Sequence, residues 1–311
     1  MQGLALARAY YEAYGKALLE ENLAPYRTEV AVGLVGEGSE CFGYDDRWSQ
    51  DHDFGPGFCI WVPEGLYREA GAVMQAAYEA LPQQFMGYRR SASAYGNGRV
   101  GVMSLEGFYE RLTGLPYPPE DALEWLRIPE EFLATATNGA VFYDGAGTFS
   151  TWRALLQGFY PDDVMRKKLA AKCATMAKTG QYNYGRSLLR GDRMAAYLAC
   201  SEFVKAAFGA LYLINGEYMP YYKWVLRGTE RFTVLQDTVA SLERLVTLAD
   251  DETGGEAKKA LIEGICADVA RYLYEWGYTR TKHPFLQHQA ESLMAGIGDA
   301  RLRAMNILVD G

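Results

Sequence analysis

Apolar positions along the chain fall into two regimes. Up to about residue 148, short apolar runs alternate with glycine and proline breaks; beyond it, long stretches carry a helical period. Residues 3–21 place Leu4, Ala7, Tyr10, Tyr11, Tyr14 and Leu18 on one helical face. Thr28–Val35 and Phe58–Val62 are short, apolar and rich in β-branched residues, which predicts two buried strands. Residues 65–81 read as a helix stopped by Pro82, and 85–90 and 99–105 read as strands flanking a turn at Ser91–Gly98. After a break at Pro116–Pro119, 121–126 and 130–135 read as short helices and 138–144 as a strand. Longer helices come next at 161–179, 190–213, 229–249, 256–277 and 285–307. This order predicts an α+β domain over residues 1–148 and an all-α helical bundle over 149–311.

Candidate chemistry gathers between the first two strands, in GEGSECFGYDDRWSQDHDFGP (36–56). Gly36 and Gly38 allow a sharp backbone bend and close approach of a ligand. Backbone amides and the Ser39 hydroxyl then offer hydrogen bonds to phosphate. Asp51 lies twelve residues beyond Ser39, with Asp53 two further on. Side chains at i and i+2 of a strand share a face, so these carboxylates project together with His52 turned away. Such a pair calls for a cation, and Mg²⁺ suits one or two carboxylates plus phosphate oxygens. A phosphate-holding turn beside a metal-holding pair predicts a nucleoside triphosphate site, with ATP as the default nucleotide.

Gly38-Ser39, a dozen residues, then Asp51-x-Asp53 resembles the signature of the DNA polymerase β-type nucleotidyltransferase superfamily. The longer strings Gly38–Asp46 and Ser49–Pro56 are similar to a bacterial branch of it carried as a domain of unknown function, as is Asn215-Gly-Glu-Tyr-Met-Pro-Tyr-Tyr-Lys-Trp224. The resemblance implies a nucleotidyltransferase-type mixed β-sheet domain followed by a helical domain, as in the aminoglycoside adenylyltransferases. It also implies transfer of a nucleoside monophosphate from a triphosphate to an acceptor with two Mg²⁺ ions. Gly38 and Ser39 would then hold phosphate, Asp51 and Asp53 metal, and Lys223 the triphosphate tail. A general base is expected on a neighbouring strand. Strand 99–105 carries no acid, which leaves Asp144 as the first candidate and Glu106, just beyond that strand, as the second. That departure keeps a nucleotide-binding or regulatory module without turnover open as the alternative, together with a transferase that modifies a protein hydroxyl.

Composition narrows the acceptor. Thirty-one basic against 39 acidic residues leave a charge of −8, which disfavours a nucleic-acid acceptor and suits a small molecule. Arg166-Lys167-Lys168 with Lys172 reads as a solvated helix face, and Arg186, Arg190 and Arg193 as surface pairing partners. Asp45 and Asp46 read as caps or as supports for the metal pair. Five scattered cysteines have no zinc spacing and fit buried thiols in a reducing compartment. No apolar run approaches the roughly 18 residues of a membrane span. Residues 1–21 are amphipathic and unlike a leader, so a cytoplasmic location is expected. Oligomeric state is not legible.

Overall fold

The computed structural model describes residues 1–50, 54–90, 98–249 and 252–310. The architecture is mixed α+β: a small mixed sheet with a helical C-terminal region, 63% helix against 7% strand. In chain order, α1 (Gly3–Tyr10) continues through two π-helical stretches, Tyr11–Gly15 and Leu18–Asn22. The wider π turn brings Tyr10 and Tyr11, then Leu18 and Leu19, onto the same buried face. β1 (Ala31–Leu34), α2 (Ser39–Phe42), β2 (Cys59–Val62) and α3 (Glu64–Glu79) come after it. β3 (Gln84–Phe85) and β4 (Tyr88–Arg89) are next, then β5 (Gly101–Ser104), α4 (Leu105–Thr113), α5 (Ala122–Arg127), α6 (Glu130–Thr137), β6 (Ala140–Asp144) and α7 (Thr148–Gln157). The helical part comprises α8 (Asp162–Met176) with a π-helical run Ala177–Tyr184, α9 (Gly185–Leu189), α10 (Arg193–Ile214) and α11 (Val225–Gly228), then α12 (Gln236–Thr247), α13 (Glu252–Glu275), α14 (Leu286–Ala295) and α15 (Ala300–Ala304).

The four-stranded sheet has the order β5-β2-β1-β6, with β2 and β5 parallel and β1 antiparallel to both its neighbours. β1 and β2 are buried at every position, because helices cover both faces. Val32, Ile60 and Val62 join the α1 and α3 side chains Tyr10, Tyr11, Ala70 and Met74. Trp61, pointing the other way, stacks on Phe149 of α7 at 4.0 Å and meets Phe108 of α4 edge-on.

Several elements depart from the sequence reading, among them the helix expected over 229–249, whose α-helix begins only at Gln236, and that over 285–307, which splits into α14 and α15. Residues 85–90 form a tight hairpin instead of one strand, since Met86 and Gly87 both take positive φ (51° and 82°) between β3 and β4. The chain divides into Met1–Pro119 with Glu130–Gly158, and Glu120–Pro129 with Phe159–Gly311, where the sequence reading places a single boundary at 148/149. Phe149 anchors α7 to the sheet, while Trp125 of α5 packs on Tyr160 and Arg301 pairs with Asp121. The basic run on α8 corrects an expectation outright. Lys167 and Lys168 are 0% and 2% exposed, not solvated. Lys167 Nζ donates to the carbonyls of Ile307 and Val309, Lys168 Nζ to that of Asp310, and Lys172 pairs with the Asp310 carboxylate at 2.7 Å. α10 is apolar enough over 18 residues to span a membrane by composition. Its buried face, including Cys200, Phe203, Ala207 and Leu211, belongs to the core of the helical unit.

Candidate functional site

Strand directions decide which residues can meet. β1 ends at Leu34, opposite the start of β6 at Ala140, while β2 begins at Cys59 opposite Gly33 and β5 begins at Gly101 opposite Cys59. One end of the sheet therefore gathers the segment leaving β1 and the segments entering β2, β5 and β6: the Gly36–Ser39 turn, Phe54–Phe58, Arg99 and Asn138.

The turn is held firmly. Gly36 and Gly38 have φ of 131° and 125°, a backbone open to glycine, and a Cβ on Gly38 would lie 2.6 Å from a Glu40 oxygen. Asn138 clasps Gly36 from both sides, accepting from its N–H at 2.9 Å and donating to its carbonyl at 2.8 Å. Gly139 N–H adds a hydrogen bond to the Cys41 carbonyl at 2.7 Å. Ser39 opens α2, but that helix is only four residues long. Its dipole is small, so attraction for phosphate at this end must come mainly from side chains.

Arginines lie beside the turn. Arg111, in the last turn of α4, bonds Glu37 at 2.8 Å, and Arg99 approaches the other Glu37 oxygen at 3.9 Å. The Arg90 guanidinium lies against Gly57, where a Cβ would collide with it. Burial pushes the Glu40 carboxyl above its usual range; Arg90 and Arg99 oppose the rise and Asp45 adds to it. Asp45 is 7% exposed and accepts from Gly3 N–H at 2.8 Å through Oδ2. Its Oδ1 is buried with no hydrogen-bond partner among the described residues. Asp46 serves as a local cap, accepting from the amides of Trp48 and Ser49. Burial drives the Cys59 thiol up to about 12, which removes it as a nucleophile at neutral pH.

Asp51, His52 and Asp53 lie outside the described residues. Phe54, the next residue, is buried and stacks edge-on against Tyr88. It also borders Gly3, where an added Cβ would meet the Phe54 ring at 3.0 Å and Glu40 Cβ at 2.5 Å.

The two candidate bases sit at the opposite end of the sheet. Asp144 pairs with Ala31, three residues and about 10 Å along β1 from Leu34. Its carboxylate caps α7, one oxygen accepting from Gly147 N–H at 2.8 Å and the other from Ser150 N–H at 2.7 Å. Glu106 lies just past Ser104, the partner of Val62, and accepts from Glu64 N–H at the start of α3. Neither is brought to the turn.

A sequence family described as a domain of unknown function (DUF4037) matches residues 125–225. No curated protein matches the chain. The matched stretch holds Lys223 but none of Gly38, Ser39, Asp51 and Asp53.

Lys223 is exposed, its Nζ 4.5 Å from the Trp224 ring centroid and 6.0 Å from that of Tyr221. Asn215 ends α10 and binds Thr233 and Val234, fixing the ends of the segment that carries Lys223. Tyr184 and Tyr218 are core residues, whereas Tyr182, Tyr221 and Tyr222 are exposed. Arg186 covers the Tyr182 ring at 4.8 Å. His283 and His288 touch at 4.3 Å between ring centroids, and the described residues contain no group of three or more side chains suited to a metal. In the helical unit a cavity is lined by Gly180, Gln181, Glu256, Lys259 and Glu263. Its polar groups are partnered within the lining, Lys259 in an ion pair with Glu256 and the Gln181 amide donating to the Glu263 carboxylate.

Sequence reasoning missed Arg90, Arg99, Arg111, Glu40 and Asn138. Arg90 and Arg99 carried a weak signal, since they flank the predicted turn at 91–98. Asn138 carried none, because its partner is 102 residues away.

Proposed function

We propose that the chain is a Mg²⁺-dependent nucleotidyltransferase that moves a nucleoside monophosphate, AMP from ATP by default, to a hydroxyl of a small-molecule acceptor. The observation that carries this reading is the clasped Gly36–Ser39 turn with Arg99 and Arg111 converging on it at the sheet end where β2 begins. Turn amides, the Ser39 hydroxyl and the guanidinium groups are donors suited to polyphosphate oxygens. Asp51 and Asp53 would hold the metal, since two carboxylates one residue apart are the hard-oxygen set that Mg²⁺ takes. The ion would supply charge neutralisation at the attacking and leaving oxygens. In the reaction, the acceptor oxygen bonds to the α-phosphorus, the bond to the β-phosphate breaks, and pyrophosphate leaves with the new charge. The hydroxyl proton passes to a general base; Asp144 and Glu106 accept backbone N–H groups at helix starts, at the end of the sheet opposite the turn.

That same placement favours a second reading, a nucleotide-binding module without turnover. Incubation with ATP labelled on the α-phosphate, Mg²⁺ and a panel of hydroxylated small molecules separates the two. Label transferred to an acceptor, with stoichiometric pyrophosphate and loss of both in Asp51→Asn plus Asp53→Asn, supports the transferase. Mg²⁺-dependent binding with no pyrophosphate across the panel supports the module, and label on protein would point to a protein acceptor.

A further inference from the structure

We infer that Glu37 is an internal stand-in for phosphate: its carboxylate occupies the guanidinium pair Arg99 and Arg111, and an incoming polyphosphate displaces it. The inference rests on the phosphate role proposed for the turn, and names the contact that regulates access to it.

Two arginines from separate elements face one carboxylate: Arg111, at the end of α4, donates a hydrogen bond at 2.8 Å, and Arg99, on the approach to β5, stands 3.9 Å from the other oxygen as a charge partner beyond hydrogen-bonding distance. An Arg–carboxylate pair has the geometry of an Arg–phosphate pair, with oxygen acceptors facing a planar set of N–H donors. Glu37 and Arg111 side chains are each 45% exposed, so the pair stands in a screened environment and is easily exchanged. The glycines on either side of Glu37 both hold positive φ, and the clasp from Asn138 falls on Gly36. The carboxylate can therefore swing outward while the turn remains anchored.

Charge gives the exchange its direction. The chain carries −8 overall, which repels a polyanion at long range. With Glu37 seated, one of the nearby positive charges is cancelled; when a di- or triphosphate replaces it, the anion meets both guanidiniums and brings more than one negative charge. A singly charged anion gains no such advantage. The seated carboxylate thus selects for polyphosphate over smaller anions.

The test is calorimetric titration of the full chain with inorganic tripolyphosphate in EDTA, without Mg²⁺ or nucleoside. Glu37→Gln should bind tripolyphosphate about two- to five-fold more tightly than wild type, the release of one exposed ion pair. Arg111→Gln should bind it about ten-fold more weakly, with a shallower salt dependence. Unchanged or weaker binding by Glu37→Gln would overturn the inference and leave Glu37 as a prop for the turn. Should Arg111→Gln fail to fold by circular dichroism, the Glu37→Gln arm decides alone. The gain from Glu37→Gln should persist in an Asp51→Asn plus Asp53→Asn background without metal, so failure of the transferase reading and failure of this one are separable.

Discussion

Replacing Lys167 by methionine probes the most unexpected packing in the molecule. Lys167 is fully buried on α8, and burial holds its ammonium group down at about 8, against an ordinary 10.5, with Lys168 adding to the depression and Asp310 opposing it. Between pH 8 and 10.5 the unfolded chain therefore binds more protons at this site than the folded one, and stability rises with pH across that window. At 1.36 kcal/mol per pH unit the full rise is about 3 kcal/mol. Lys167→Met has nothing to titrate there and also loses the hydrogen bonds to Ile307 and Val309. The stability of wild type minus that of the variant should thus increase by about 3 kcal/mol from pH 7.5 to 10.5. Taking the difference cancels groups common to both, such as Tyr10, whose hydroxyl burial pushes up to about 12 and whose contribution falls as the unfolded tyrosine ionises above about pH 10. Urea denaturation followed by circular dichroism at half-unit pH steps measures it. A difference that stays flat with pH would refute the claim that a buried ammonium resides at Lys167.

Three further outcomes are tied to named contacts. Asn138→Ala removes two hydrogen bonds to Gly36 and should cost about 1–3 kcal/mol in denaturation, with faster amide exchange confined first to residues 36–41. Asp144→Ala should lose about 1–2 kcal/mol of stability through the α7 cap while leaving the rate of any label transfer within two-fold; a hundred-fold fall in rate would restore Asp144 as the base. Lys223→Met, read by nucleotide titration, should weaken binding about ten-fold if that lysine meets the triphosphate, whereas unchanged affinity confines it to its packing on Trp224.

The strands and long helices were readable because burial imposes a period. Val30, Val32, Ile60 and Val62 had to be apolar, and the π turns of the first helix left its apolar face intact. Local chemistry was readable too, as in the glycines of the 36–39 turn. Contacts set by topology were not. Lys167 and Lys168 look like a solvated face in one dimension, and only the return of residues 307–310 onto α8 explains their burial. Asp144 closed a predicted strand, and the antiparallel pairing of β6 with β1 carries it to the end of the sheet opposite the turn. The same antiparallel rule brings Asn138 to Gly36, and the parallel pairing of β5 with β2 brings Arg99 to Glu37. Strand direction was the missing variable for Asp144, Asn138 and Arg99.

The central claim is that a carboxylate pair and a phosphate-holding turn act on one ligand. Calorimetric titration of a non-hydrolysable ATP analogue, with and without Mg²⁺, tests it in wild type and in Asp51→Asn plus Asp53→Asn. Wild type should bind at least ten-fold more tightly with Mg²⁺, and the double variant should bind the metal-free analogue at least as tightly as wild type while losing the Mg²⁺ enhancement. Wild-type binding indifferent to Mg²⁺, or an enhancement that survives in the double variant, would contradict it.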